Sequence, residues 1–216
     1  MPKAVFLDYT GTILQTDSDD LRQLANRMAA GNFKSPQEAA DWWLSTLQTM
    51  EENAYRELYA PQEVLALRVL EKAAKEKGLK DDLLQLRQLN INYWMYAPLY
   101  SDVKRFFEQC PLPIYIISNN SDSYIRICLR RNGLHVNGII SADQVRAYKP
   151  HRELYDLALR TAQVEAKEAV CIGDSLVDMI GASSVGMKPV LLDRKKNAEI
   201  DAYRIVHSLS EALRLL

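Results

Sequence analysis

Paired cysteines, charge of one sign and long apolar runs are all missing from this sequence. The three cysteines, Cys110, Cys128 and Cys171, lie in or beside apolar segments and form no C-x-x-C pair. They read as reduced core residues of a cytoplasmic protein. The formal net charge is −1 and no basic block occurs, so nothing electrostatic points to nucleic acid or a membrane surface as partner. No apolar run approaches the roughly 20 residues that a membrane helix needs. Met1-Pro2-Lys3 leads directly into a strand-like segment, which reads as the absence of a signal peptide. No internal repeat and no low-complexity segment interrupts the chain.

What is present suits one domain, or one domain carrying a sizeable insertion: 216 residues, 48% apolar and 25% charged. The stretch from Ala4 to Leu14 organises the rest. Ala4-Val5-Phe6-Leu7 is a continuous apolar run, the pattern of a strand buried on both faces of a parallel sheet. It stops at Asp8. Gly11 then sits between Thr10 and Thr12, turn chemistry that lets the backbone reverse beside a ligand. Ligands of open α/β sheets bind at the carboxyl ends of the strands, where Asp8 would serve as nucleophile or metal ligand.

From about Gln15 to Tyr96 the pattern is helical. Leu21, Leu24 and Met28 fall at helical spacing, and Gly31 is a stop. Ser35-Pro36-Gln37-Glu38 has a capping-box pattern and opens a helix expected to reach about Tyr59. Pro61 opens a third helix that runs toward Gly78, and Asp81 or Asp82 opens a fourth. These four fit a small bundle inserted after the first strand. Beyond Pro98, Ser101 to Cys110 reads as an amphipathic helix. Ile114–Ile117, Gly138–Ser141, Ala169–Ile172, Pro189–Leu192 and Ile205–Val206 read as further strands, with helices between them. Ser208 to Glu211 is a second capping-box pattern. Strands alternating with helices predict a parallel, doubly wound α/β sheet.

Polar groups collect at the strand ends. Asp8 ends the first strand and Ser118 the second, with Asn119 beside it. Lys149 opens the helix after the third. Asp174 ends the fourth, and Asp178 lies one helical turn on, on the same face. Taken singly, each has an ordinary reading: turn formers at Ser118 and Asn119, a solvated lysine, a helix-capping Asp174. Asp143 reads as a loop acid. Together they would bring three carboxylates and one ammonium into one cleft. Like charges so close call for a bound cation or raised pKa values. An oxygen-rich site with open positions suits Mg2+. Lys149 would meet phosphate oxygens, Ser118 would donate a hydrogen bond, and Asp8 would attack phosphorus.

With these motifs in Leu7–Thr12, Ile117–Asn120, Tyr148-Lys149-Pro150 and Ile172–Ala182, the chain resembles the haloacid dehalogenase-like hydrolases that carry a helical cap after the first motif. The resemblance implies a Rossmann-like core over 1–14 and 97–216 and a cap over 15–96. It implies that Asp8 is the nucleophile. It further implies that Asp8, the Thr10 carbonyl and Asp174 bind Mg2+, that Asp178 supports the metal, that Ser118 binds the phosphoryl group and that Lys149 neutralises charge. Thr12 and Asn119 join the substrate-binding set. Phosphatases of this family usually read D-x-D-G-T, the second Asp being the general acid and base, and here that position is Thr10. A threonine hydroxyl cannot protonate a leaving alkoxide efficiently, and such help is worth about 10²–10⁴-fold.

Three functions therefore stand open: a Mg2+-dependent phosphohydrolase of a small metabolite, a haloacid dehalogenase or phosphonatase, and a catalytically weak binding or regulatory protein. Dehalogenases of the family need no metal, whereas Gly173-Asp174-Ser175 resembles the metal-binding phosphatases. Phosphonatases use a cap lysine, for which Lys34 is the candidate. Phe33 and Lys34 are expected to reach the site from the cap. Arg22, Trp42 and Trp43 are secondary candidates, the tryptophans reading first as core. Monomer and homodimer are both left open.

Overall fold

The computed structural model describes residues 1–199 and 201–216. Six parallel strands form one sheet in the order β3-β2-β1-β4-β5-β6. They are β1 (Ala4–Leu7), β2 (Ile114–Ser118), β3 (Gly138–Ser141), β4 (Ala169–Gly173), β5 (Lys188–Leu192) and β6 (Arg204–Val206). β1 is central, with Leu7 beside Ile116 of β2 and Ile172 of β4. The chain first winds outward through β2 and β3, then returns to the other side of β1. The sheet therefore switches direction where β1 ends, which is where open α/β sheets form their ligand crevice.

The first four of the helices between β1 and β2 are α1 (Asp19–Met28), α2 (Pro36–Asn53), α3 (Gln62–Lys77) and α4 (Leu83–Tyr96). Each packs against two of the others, closing a small bundle that forms the cap. α5 (Val103–Gln109), α6 (Asp122–Asn132), α7 (Ala142–Val145), α8 (Arg152–Ala162), α9 (Leu176–Ser184) and α10 (Leu209–Ala212) complete the layers around the sheet. The apolar run of β1 is buried on both faces. Val5 and Leu7 share a core with Tyr9, Ile13, Leu14 and the cap helices. Ala4 and Phe6 face α8 through Leu154, Tyr155 and Ala158.

Helix starts follow the sequence with one recurring change. Ser35 and Ser208 cap their helices, accepting from Glu38 N and Glu211 N at 3.1 Å each. The returning carboxylates reach one residue further back, to Lys34 N and His207 N. Asp82, rather than Asp81, caps α4, and Asp81 pairs with Arg27 of α1.

The helix expected to run to Tyr59 ends at Asn53. Contacts with the core compete with its continuation. Tyr55 stacks on His151 at 4.4 Å, Arg56 N donates to Arg146 O at 2.9 Å, and the Tyr59 hydroxyl donates to Asp143 at 2.6 Å. Tyr148 closes the seam, its hydroxyl donating to Ala60 O at 2.8 Å. Asp143, read as a loop acid, lies in the short α7.

Candidate active site

A cavity of about 370 Å³ opens where β1 meets the cap. Its floor comes from the strand ends: Asp8 and Thr10 after β1, Asn119 and Asn120 after β2, Lys149 before α8, and Asp174, Ser175 and Asp178 after β4. Its upper wall comes from the cap, with Trp43, Leu47 and Glu51 on α2, Gln62 on α3, and Tyr93 and Trp94 on α4.

Lys149 is the hub of the floor. Its ammonium donates to Asp8 Oδ1 and to Asp178 Oδ1, each at 2.6 Å. All three residues are buried. Asp178 also closes a capping box at the start of α9, its Oδ2 accepting from the Ser175 hydroxyl at 2.6 Å. Both its oxygens are thus bonded by protein. Asp8 differs: its Oδ2 is buried and has no partner. Asp174 lies beside it, so close over Gly11 that a Cβ there would stand 1.9 Å from Asp174 Oδ2. Gly11 also has φ +86°, so both its backbone and the approach of Asp174 require glycine.

The charges fight one another. Burial pushes the Asp8 carboxyl up to about 6, with Lys149 pulling it down and Asp178 adding to the rise. Burial and the charges of Asp8 and Asp178 hold Asp174 well above the usual carboxylate range. Asp174 opens onto the cavity solvent, with the like charges of Asp8 and Asp178 beside it. Burial works against the Lys149 charge, but Asp178 and Asp8 outweigh it and keep the ammonium well above the usual lysine range. One carboxylate oxygen from each of Asp8, Asp174 and Asp178 lies within 4.8 Å of the others. Together with the unpartnered Asp8 Oδ2, this set fits a hard divalent cation. Asp8 and Asp174 have the free oxygens; Asp178 acts through Lys149 and Ser175.

The structure brings most predicted residues together, but not all. Asn119 lines the cavity, its Oδ1 accepting from Lys149 N at 2.9 Å. Ser118 is buried at the end of β2; its hydroxyl donates to Asn120 Oδ1 at 3.2 Å and accepts from Asn120 N at 3.1 Å. Thr12 lies beneath the loop, fully buried, with its carbonyl accepting from Arg194 at 2.8 Å. It is not among the cavity-lining residues.

Lys34 is a correction: it is exposed and stands outside the cavity. The turn that carries it is tied to α2 through Glu38. Phe33 also misses, because its ring packs edge-on against Trp42 at 5.6 Å within the cap. Arg22 pairs with Asp17 and Asp19 on the surface. Of the two tryptophans, Trp43 lines the cavity.

The sequence reading missed Glu51. It is only 8% exposed. Asn119 Nδ2 donates to its Oε2 at 2.9 Å, and Gln62 Nε2 donates to its Oε1. Burial pushes its carboxyl up to about 7, while Gln62, Asn119 and Lys149 pull it back. The signal was its position. Trp43, Leu47 and Glu51 are spaced four apart on α2, so the carboxylate continues an inward-facing apolar stripe.

A family model described as haloacid dehalogenase-like hydrolase matches residues 2–186. (S)-2-haloacid dehalogenase 4A of Burkholderia cepacia is 26% identical over 126 residues, covering 56% of this chain and 52% of that protein. The match therefore spans about half the length of that relative. Glyceraldehyde 3-phosphate phosphatase of Pyrococcus furiosus is 43% identical over 54 residues, 24% of this chain and 22% of the other. L-2-haloacid dehalogenase of Xanthobacter autotrophicus superposes with a TM-score of 0.82 at 20% identity, covering 100% of this chain and 98% of its own. A "HAD phosphatase" of Thermococcus onnurineus reaches 0.66 at 23% identity, covering 99% and 97%. At these identities the structural likeness speaks for the fold.

Proposed function

The chain belongs to the haloacid dehalogenase-like hydrolases, and from that premise we propose that it is a Mg2+-dependent phosphohydrolase of a small phosphorylated metabolite. The observation that carries this reading is Asp174, a third carboxylate beside the unpartnered oxygen of Asp8. Five acids line the cavity (Asp8, Glu51, Glu52, Asp174 and Asp178) against one base, Lys149. An anionic substrate needs a cation there to overcome the repulsion.

Asp8 and Asp174, with the Thr10 carbonyl, would hold the metal. When bound, it would neutralise charge on the carboxylates and the phosphoryl group. Asp8 attacks phosphorus and becomes an aspartyl-phosphate, which water then hydrolyses. Lys149 orients Asp8 and offsets charge on the phosphoryl oxygens, in a site where such stabilisation is strong. Asn119 binds the phosphoryl group from the end of β2; Ser118, outside the cavity lining and tied to Asn120, would join it only by giving up that bond. Residues 15–96 act as the cap over a core of 1–14 and 97–216. Cysteines without disulfide partners and the absence, among the described residues, of a helix long and apolar enough to cross a membrane support a cytoplasmic setting.

A second reading is favoured by the relatives, since the (S)-2-haloacid dehalogenase resemblance covers more of the chain than the phosphatase one. Asp8 would then attack carbon, expelling halide, without metal. The position of Lys34 outside the cavity leaves the phosphonatase variant without its cap lysine. The intact cluster of Asp8, Lys149 and Asp178 speaks against a merely binding protein. Phosphate and halide release across a panel of phosphate esters and 2-haloacids, with Mg2+ or with excess chelator, tests the reading. Phosphate release that chelator abolishes supports it. Halide release that survives chelator overturns it.

A further inference from the structure

An alkyl phosphate needs a proton for its leaving oxygen, and few groups lining the cavity can give one. Asp8 is the attacking group, and Asp174 is the carboxylate that would share the cation with it. Asp178 is paired directly with the Lys149 ammonium at 2.6 Å, unlike a carboxyl held by neutral amides. Lys149 is held too firmly in its charged form by two carboxylates. Burial pushes the Tyr93 hydroxyl far up, and the hydroxyls of Thr10, Thr16 and Ser175 are weaker acids still. Glu52 is exposed and accepts from Gln48 at 3.0 Å. Glu51 remains.

Its position is built rather than incidental. Asn119 cannot turn its amide over, because its Oδ1 accepts from Lys149 N. Gln62 is fixed likewise, its Oε1 accepting from Asn120 Nδ2 at 2.6 Å. Both amides must therefore present N–H groups to Glu51. This ring ties a cap carboxyl to the loop after β2, two hydrogen bonds from the lysine that holds Asp8.

We propose that Glu51 is the general acid and base of this site, acting on the leaving oxygen and then on the attacking water. The assignment rests on the phosphohydrolase reading above. As Asp8 Oδ bonds to phosphorus, the bond from phosphorus to the ester oxygen breaks, and that oxygen takes the Glu51 proton to leave as the alcohol. Glu51, now a carboxylate, takes a proton from water as the water oxygen attacks the aspartyl-phosphate. The bond from phosphorus to Asp8 breaks, inorganic phosphate departs, and both carboxyl groups return to their starting states. Glu51 shifts toward neutrality through burial, which suits a group that must do both tasks. The charged or titratable groups that bear on it are Lys149, Glu52 and Tyr148; Gln62 and Asn119 are neutral.

The test compares 4-nitrophenyl phosphate, whose leaving group needs no proton, with butyl phosphate, whose leaving group does. Both are measured with Mg2+ at the chemical step, in wild type and in Glu51→Gln. The variant should lower kcat for butyl phosphate by about 10²-fold or more. The loss for the aryl ester should be at least about tenfold smaller. The alkyl pH–rate limb near neutrality should vanish in the variant. Equal losses for the two esters, or a limb that persists, overturn the assignment while leaving the phosphohydrolase reading in place. No phosphate release from either ester by wild type overturns both. Should Glu51→Gln fail to fold, Glu51→Asp decides: a displaced limb with a selective alkyl loss supports the role, and an unmoved limb overturns it.

Discussion

Asp178 on the floor of the cavity and Glu51 on its cap wall are buried to a similar degree, 2% and 8% exposed. In both, each oxygen accepts a hydrogen bond. Their partners separate them. Asp178 faces the Lys149 ammonium at 2.6 Å, so its charge is compensated directly. Glu51 receives hydrogen bonds only from neutral amides and feels Lys149 from further away. Buried charges require a partner of opposite sign, and neutral donors compensate only in part. The cap wall therefore holds a buried carboxyl that no cation among the described residues touches, and burial moves it toward neutrality.

The strongest way to break this comparison is at the nucleophile. Asp8→Asn should lower kcat by about 10⁴-fold or more while circular dichroism stays that of wild type. An active variant would exclude covalent catalysis at Asp8, and the floor would lose its assigned chemistry.

The floor was legible in the sequence because its geometry is local. An apolar run ending in Asp8 defines a buried strand and its carboxyl end, and parallel pairing brings Ser118, Asp8 and Asp174 to one edge of the sheet. The capping box fixes Asp178 relative to Ser175 within four residues. The cap wall was not legible, because its contacts are long-range. Glu51 meets Asn119 and Gln62 only after the bundle has closed on the core. Lys34 misled for a related reason. Its place in the break between α1 and α2 suggested reach toward the site, but that turn lies away from the cavity.

Stability against pH sharpens the difference between the two carboxyl groups. Glu51 has a folded-state pKa raised from 4.5 to about 7. The folded protein therefore binds its proton more tightly than the unfolded chain does, and stability falls as pH rises through that window. The loss begins near the lower value and is complete above the upper one. It amounts to about 3 kcal/mol on the free-energy value of a pKa unit. Asp8 and Asp174 shift in the same direction, so the measurement is the difference between wild type and Glu51→Gln in denaturant titrations from pH 4 to 8. A variant with an equally steep profile would refute the strain assigned to Glu51.

Metal binding probes the floor alone. At a hundredfold excess over its Kd, Mg2+ should add about 2.7 kcal/mol of stability, or about 5–10 °C in Tm for a chain of this size. Asp174→Asn should remove most of that shift, and Glu51→Gln should leave it unchanged. Calorimetry at fixed pH checks both. A shift that survives Asp174→Asn would mean that the cation binds elsewhere.

Thr10 is where floor and cap wall can exchange roles. It lines the same cavity as Glu51 and immediately precedes Gly11, over which Asp174 packs. If the cap supplies the proton only in part, a carboxyl introduced at position 10 should add to it. Thr10→Asp should then speed alkyl phosphate hydrolysis by about tenfold, at the lower end of what acid–base assistance contributes. It should change aryl phosphate hydrolysis little. In the Glu51→Gln background the gain should be larger, because the new acid replaces one that has been removed; two groups sharing one task are not additive. The new carboxylate also adds a negative charge near Asp8 and Asp174, so Mg2+ affinity has to be measured beside the rates. An equal gain in both backgrounds would mean that position 10 and Glu51 serve separate steps. No gain in either, with Mg2+ affinity unchanged, would mean that the leaving oxygen is reached from the cap wall and not from the floor.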